Sequence, residues 1–357
     1  MVPQSLLPAI ETPFYGWEKI LFTPQTAAQI QPYLGHDPID TFLPHQKSFQ
    51  APYEVVPIEG KGIGVRATRK IKKWETIMVD QASLVMDLDL ERAFSAKENR
   101  ELLSKGVGRL RVPEVVTNLS SKHGSGQGEK EEQRDSDSEE GWLEEDIMRT
   151  NAFGSEIAGK QCRALFPLIS RINHACNPNA YVLFSRDGIA MAIKAYRTIR
   201  AGEELSISYA TLGQPFARRQ ETLKRWGFTC TCALCSLPAA EKTASDMRRA
   251  LIAKSETKAV QLYGEGKTVE AIELAEETLE MMREEGLEGT EADQLVLLAK
   301  MWLGVGEREA AERYGRESWE RLRGMGFLGE VRDEEWELEG FLGMVGEGVR
   351  EVLRGDE

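Results

Sequence analysis

No apolar run in this 357-residue chain approaches the roughly 20 residues a helix needs to cross a bilayer. The opening stretch MVPQSLLPAIETPFYGWEKI lacks a basic start followed by an apolar centre, so it does not read as a secretory signal. Residence in the cytosol or nucleus is the expectation. Cysteine is scarce: there are five, an odd number. Without an export signal, that count argues against a disulfide framework and for metal ligation or free thiols. Basic charge is also in deficit, with a formal net charge of −13. Nucleic-acid binders usually carry a basic patch or a high pI, so DNA or RNA is not expected as the main ligand. The acidity is compatible with a basic peptide partner but mostly serves solubility. Residues 120–140 contain no aliphatic side chain and no Phe, Tyr or Trp. Such a segment cannot bury enough surface to offset its ordering entropy, and a disordered insert is expected there.

What is present reads as two or three domains. Residues 1–52 hold several prolines and scattered aromatics without a period, which predicts an irregular arm. From Tyr53 the pattern turns to short strands at Tyr53–Ile58, Ile63–Thr68 and Thr76–Asp80. A helical stretch follows over roughly 90–104, and Trp142–Ala152 reads as a helix. Ala180–Phe184 and Ile189–Ile193 read as strands joined by a turn at Arg186-Asp187-Gly188, Leu205–Tyr209 as the last strand, and residues 216–226 as a short helix. Beyond Pro238 the chain becomes helical. Gly266, Ala271, Leu274 and Leu279 recur as Gly306, Ala311, Tyr314 and Trp319, a loose repeat of about forty residues. This repeat resembles tetratricopeptide helix pairs, and a generic helical bundle is an equal reading.

Several clusters carry chemistry. Cys230, Cys232 and Cys235 form a C-x-C-x-x-C run, and thiolates so spaced can converge on one tetrahedral zinc, which takes four ligands. Incidental free thiols are the plainer reading, but three cysteines within six residues favour metal. Cys162 sits among apolar neighbours and reads as a small buried hydrophobe. Lys61-Gly62-Ile63-Gly64 could let backbone approach a ligand closely, or simply make a hairpin turn. Arg171-Ile172-Asn173-His174-Ala175-Cys176-Asn177-Pro178-Asn179 is a polar knot between apolar runs, rich in side chains that hydrogen-bond backbone and stabilise unusual loops. Gly202-Glu203-Glu204-Leu205-Ser206-Ile207-Ser208-Tyr209 is a turn running into a strand that ends in tyrosine. Glu203 and Glu204 read as turn carboxylates that satisfy backbone or pair with a basic neighbour.

The order of these three pieces, polar knot, acidic turn with tyrosine, then cysteine cluster, resembles the SET-domain protein-lysine methyltransferases. The layout is similar to their SMYD-like branch, without its MYND finger, as known in fungi. The resemblance runs from about Tyr53 to Cys235. It implies an α+β protein: a β-rich SET core with a pseudoknot over 53–209, a helical insertion at about 84–150, a four-cysteine zinc module over 210–238 and an all-α, TPR-like domain over 239–357. It implies S-adenosylmethionine as cofactor, contacted by Lys61, Gly62, Ile63, Gly64, Asn151, Asn173, His174, Tyr209 and Phe228. It supplies Cys176 as the fourth zinc ligand, makes that zinc structural, and places Tyr209 at the reacting centre. Ala175 stands where serine is usual, which implies a lost hydrogen bond rather than lost activity.

The chemistry suits a tyrosine there. Lysine amines have a reference pKa near 10.4, so roughly one in a few thousand is neutral at pH 7, and only the neutral form attacks a sulfonium methyl. A desolvated channel lowers that pKa. The implied partner is a protein or peptide bearing a lysine, with no membrane and no nucleic acid. Two other classes compete: a catalytically silent scaffold that grips protein partners, and a zinc hydrolase. Four thiolates leave zinc no open position for water, which argues against the hydrolase. Substrate identity, degree of methylation and oligomeric state are not readable.

Overall fold

The computed structural model describes residues 19–21, 42, 50–120, 142–185, 189–327, 340 and 343. Most of the expected irregular arm, the expected turn at residues 186–188 and, save residue 120, the expected disordered insert lie outside the described residues; the arm's described Lys19–Leu21 form a strand instead of irregular chain. The chain divides into two compact units. The first comprises residues 1–173, 179–207 and 224–228, and the second residues 174–178, 208–223 and 229–357. Among the described residues the fold is α+β, short-stranded sheets in the first unit and helices dominating the second.

In the first unit, β2 (Tyr53–Ile58) and β3 (Gly62–Ala67) form an antiparallel hairpin with Tyr53 opposite Ala67 and Ile58 opposite Gly62. The strand β1 (Lys19–Leu21) precedes them in the chain. Gly60 and Gly62 take φ of +70° and +73° in the hairpin turn, a region where side chains are strained. A three-stranded antiparallel sheet runs β4 (Thr76–Gln81), β10 (Ala190–Ala195), β9 (Ala180–Ser185). Its central strand, β10, is nearly wholly buried, which its Ala-Met-Ala-Ile sequence permits.

The expected insertion is not all helical. It opens with a strand, β5 (Leu84–Asp87), which joins a four-stranded sheet of order β1, β5, β7 (Lys160–Leu165), β6 (Phe153–Ile157). Against it lies a core of Leu84, Met86, Leu102, Leu103, Ile147 and Leu165, among others. The helices are α1 (Leu88–Ala93), α2 (Ala96–Val107), α3 (Glu114–Thr117) and α4 (Trp142–Asn151). The single helix expected over 90–104 is broken at Phe94-Ser95. Ser95 and Glu98 make a reciprocal capping box that starts a new helix. Cys162 is 1 % exposed on β7, and burial pushes its thiol up to about 12.

Asp80, on β4, anchors the turn that leads into the polar knot. Its carboxylate accepts the backbone N–H groups of Leu168 (2.7 Å) and Ile169 (3.1 Å). Burial pushes its pKa up to about 6 in spite of these bonds. A raised carboxyl pKa means the folded chain keeps a proton that the unfolded chain has lost. The contribution of Asp80 to stability is therefore expected to fall as pH rises from about 4 to about 6, by on the order of 2–3 kcal/mol. Urea midpoints of wild type and Asp80→Asn across pH 4–7 check this. The difference between the two should narrow towards pH 4, and parallel curves would refute it.

The second unit begins with α5 (Phe216–Leu223) and continues with α6 (Ala239–Gly264), α7 (Thr268–Glu284), α8 (Glu291–Gly304) and α9 (Arg308–Met325). Ala259, Ala271, Leu279, Leu295 and Leu298 belong to its core. The repeat of about forty residues is visible in burial: Ala271 and Ala311 are buried, as are Leu279 and Trp319. Gly266, Gly286 and Gly306 each end a helix with positive φ and the same pair of backbone bonds, for example Gly306 to the Leu303 carbonyl and Glu307 to that of Trp302.

The strand expected over Leu205–Tyr209 is shorter: β11 covers only Ser206–Ile207. The other short strand is β8 (Asn173–His174). The Tyr209 N–H is given to the His174 ring instead of to a ladder.

Candidate cofactor loop and four-cysteine centre

The hairpin turn, the polar knot and the acidic turn meet in the first unit. Lys61 Nζ pairs with Glu204 Oε2 at 2.6 Å, and Asn173 Nδ2 donates to Glu204 Oε1 at 3.0 Å. Gly64 lies against both partners. A Cβ there would sit 2.5 Å from Ile58 Cγ1, 2.6 Å from Asn173 Nδ2 and 3.4 Å from Glu204 Oε1. Only glycine permits that approach. Gly62 and Ile63 are exposed beside it.

Asn179 binds the acidic turn: its amide donates to the Glu204 carbonyl at 2.8 Å and its Oδ1 accepts the Ser206 N–H at 2.9 Å. Glu203 accepts from Arg197 at 2.6 Å and from the Arg200 N–H at 3.1 Å. These contacts with Arg197, Arg200 and Asn179 outweigh burial and hold its carboxyl below the usual range. The turn-carboxylate reading therefore describes both glutamates. The structural importance of Glu204 and Asn179 was not legible, because their partners are distant in sequence.

Asn151 and Phe228 are placed differently from the loop residues. The Asn151 amide donates to the carbonyls of Ser120 (2.8 Å) and Ile147 (2.9 Å), tying the end of α4. Phe228 is 38 % exposed.

In the second unit Cys176, Cys230, Cys232 and Cys235 come together, with all four sulfurs within 4.8 Å of one another. Cys176 Sγ lies 3.8 Å from Cys230 Sγ and 3.5 Å from Cys235 Sγ. Both distances are far too long for a disulfide. Four sulfurs about 2.3 Å from a central zinc would be about 3.8 Å apart, so the spacing fits a tetrahedral zinc. The donor set is all sulfur, as in closed structural sites.

Surrounding N–H groups face the sulfurs. Gln220 Nε2 lies 3.5 Å from Cys235 Sγ, and the Cys232 N–H points at Cys230 Sγ at 3.5 Å. Arg219, 2 % exposed, has Nη2 3.9 Å from Cys235 Sγ. Burial opposes its charge, yet the sulfurs of Cys235 and Cys176 more than offset that and raise its pKa. Hydrogen bonds from Cys176 and the other two lower the Cys232 pKa, while Cys176 is pushed up by its bonds to Cys230 and the others.

The Cys176 loop is anchored on the helices. Asn177 faces the Glu285 carbonyl, and a Cβ on Gly286 would lie 2.8 Å from Asn177 Nδ2. Glu285 is itself buried and bonded to Ser245 (2.6 Å), Arg248 (2.7 Å) and Arg249 (2.7 Å).

Residues 62–210 match the SET domain family. This chain contains a SET domain. The SET domain thus begins on β3 and ends one residue after Tyr209. It includes Gly62, Ile63, Gly64, Asn151, Asn173, His174, Cys176 and Tyr209, whereas Lys61, Phe228, Cys230, Cys232 and Cys235 flank it.

Curated relatives match part of the chain. Histone-lysine N-methyltransferase ATXR2 of Arabidopsis thaliana is 41 % identical over 97 residues, covering 26 % of this chain and 20 % of that protein. Histone-lysine N-methyltransferase set5 of Schizosaccharomyces pombe is 35 % identical over 91 residues, covering 25 % and 28 %. Histone-lysine N-methyltransferase SMYD3 of Mus musculus is 36 % identical over 72 residues, covering 20 % and 16 %. The chain therefore spans between about a sixth and a little over a quarter of each of these relatives. No helix among the described residues is long and apolar enough to cross a membrane.

Proposed function

We propose that this chain is a protein-lysine N-methyltransferase that moves a methyl group from S-adenosylmethionine to the ε-amine of lysine in a protein. The observation that carries the reading is the close approach of Gly64 to Asn173 and Glu204 inside the SET domain. It leaves glycine backbone, an amide and an ion pair together at the loop that the resemblance assigns to the cofactor. In this reading Lys61, Gly62, Ile63 and Gly64 hold the methionine part of the cofactor. Asn173 and His174 contact it from the polar knot, Asn151 adds a contact, and Phe228 covers the adenine.

Both His174 ring nitrogens are engaged within the protein, so its cofactor contact falls to the main chain. When bound, S-adenosylmethionine would supply an electrophilic methyl group on a sulfonium, leaving as a neutral thioether, and the neutral lysine amine that takes the methyl would give up a proton to water. Tyr209 aligns amine and methyl through its hydroxyl, and alignment of this kind contributes several kcal/mol to the barrier reduction. Cys176, Cys230, Cys232 and Cys235 would hold zinc, whose part is to stabilise the fold. The substrate would be a histone or another protein of the nucleus or cytoplasm.

Calorimetry of S-adenosylmethionine on the metal-loaded protein tests the reading. Binding is expected in the wild type. Asn173→Ala is expected to weaken it, and Gly64→Ala to weaken it 10- to 100-fold, the equivalent of the roughly 1–3 kcal/mol that overpacking costs. Absence of binding by the wild type would favour the silent scaffold. Binding without transfer to any protein in an extract would do so too.

A further inference from the structure

The His174 side chain touches both the tyrosine and the cysteines. His174 is 4 % exposed. Nδ1 accepts the backbone N–H of Tyr209 at 3.0 Å. Nε2 faces Cys176 Sγ at 3.2 Å. The ring centroid lies 5.3 Å from that of Tyr209, with the planes tilted by 46°. A nitrogen that accepts a backbone N–H carries no proton, so in the neutral ring the proton is on Nε2. Nε2–H then donates to Cys176 Sγ, a polarity that suits a metal-bound thiolate. The ring is held at both ends in one tautomer.

Two neighbouring facts strengthen the link. Tyr209 lies beyond β11, so no strand pairing holds its backbone. Cys176 lies on a loop whose next residue, Asn177, is seated against Gly286. The imidazole thus supplies a hydrogen bond that regular structure does not, and it supplies it from a loop fixed by the four-cysteine centre.

We infer that His174 is a positioning residue that fixes the Tyr209 backbone to the four-cysteine centre, so that an occupied centre sets where the tyrosine hydroxyl points. The consequence for methyl transfer rests on the function proposed above. The bridge itself does not.

Two substitutions separate the ends of the ring. In His174→Asn, Oδ1 stands near the Nδ1 position and can accept the Tyr209 N–H, but nothing reaches Cys176. In His174→Gln, the side-chain amide reaches Cys176 as a donor while the Nδ1 position is lost. Full-length protein labelled with 15N-tyrosine reports the Tyr209 amide, its signal assigned through Tyr209→Phe. Cobalt(II) loaded into the cysteine centre reports the sulfurs by its absorption bands.

The Gln variant is expected to exchange the Tyr209 amide at least tenfold faster than wild type, with the cobalt bands unmoved. The Asn variant is expected to keep that amide protected, shift the cobalt bands and lose metal to a chelator at least tenfold faster. Methyl transfer should fall at least tenfold further in kcat for Gln than for Asn. An unchanged Tyr209 amide in the Gln variant, or two variants alike in both spectra, would overturn the inference. Failure of the wild type to bind S-adenosylmethionine would defeat the function instead, and the amide and cobalt signals would still decide the bridge.

Discussion

Tyr209→Phe is expected to reduce methyl transfer by at least about 100-fold, with S-adenosylmethionine affinity changed less than about fivefold. The substitution removes one oxygen and nothing else. The ring keeps its tilted contact with His174, and the backbone N–H keeps its bond to Nδ1. Neither the fold nor the four-cysteine centre should notice the change. A loss confined to kcat would therefore report a hydroxyl that acts on the reacting atoms. The measurement is single-turnover transfer of a radiolabelled methyl group to core histones and to a protein extract, with metal content determined in parallel. Activity within a few-fold of wild type would remove Tyr209 from the reacting centre.

Cys176→Ser is expected to empty the metal centre. Structural zinc contributes on the order of 10 kcal/mol to folding in small zinc modules, because the site forms only in the folded state. Losing one of four ligands forfeits part of that. The sulfurs of Cys230, Cys232 and Cys235 would remain, along with a buried Arg219 whose charge Cys235 and Cys176 now balance. A loss of about 3–5 kcal/mol would lower the thermal midpoint by roughly 4–7 °C in a chain of this size. Metal content should fall from about one per chain towards zero after mild chelation. Cys162→Ser is the control: it sits on β7, apart from the cluster, and should leave metal content unchanged. Metal retained by the Cys176 variant would show that the fourth ligand is another residue.

Local pattern made much of this protein legible. Strands β2, β3 and β4 lie where runs of β-formers and bounding turns placed them, and the chain after Pro238 is helical. The strands that escaped notice have weak local signals. β7 reads Lys-Gln-Cys-Arg-Ala-Leu, with no β-branched residue, and is a strand because it pairs with both β5 and β6. The break at Ser95 was legible in principle, since a serine followed three residues on by glutamate is a helix start. The last strand was overextended because Leu-Ser-Ile-Ser-Tyr alternates as a strand should, while the hydrogen bond that ends it comes from a ring 35 residues earlier.

The sequence by itself determined the residue chemistry: three clustered thiols, a glycine-bearing turn, an asparagine-rich knot and a tyrosine closing an acidic turn. Those features are local, written in residue type and spacing over a few positions. Tertiary structure alone brought Cys176 to thiols more than 50 residues away, set Lys61 on a glutamate 143 residues along the chain, and made His174 the neighbour of both Tyr209 and Cys176. Such partnerships depend on how buried apolar surface folds the chain back on itself. No short-range preference encodes them, because a buried carboxylate, thiol or imidazole has the same sequence signature whichever distant group satisfies it.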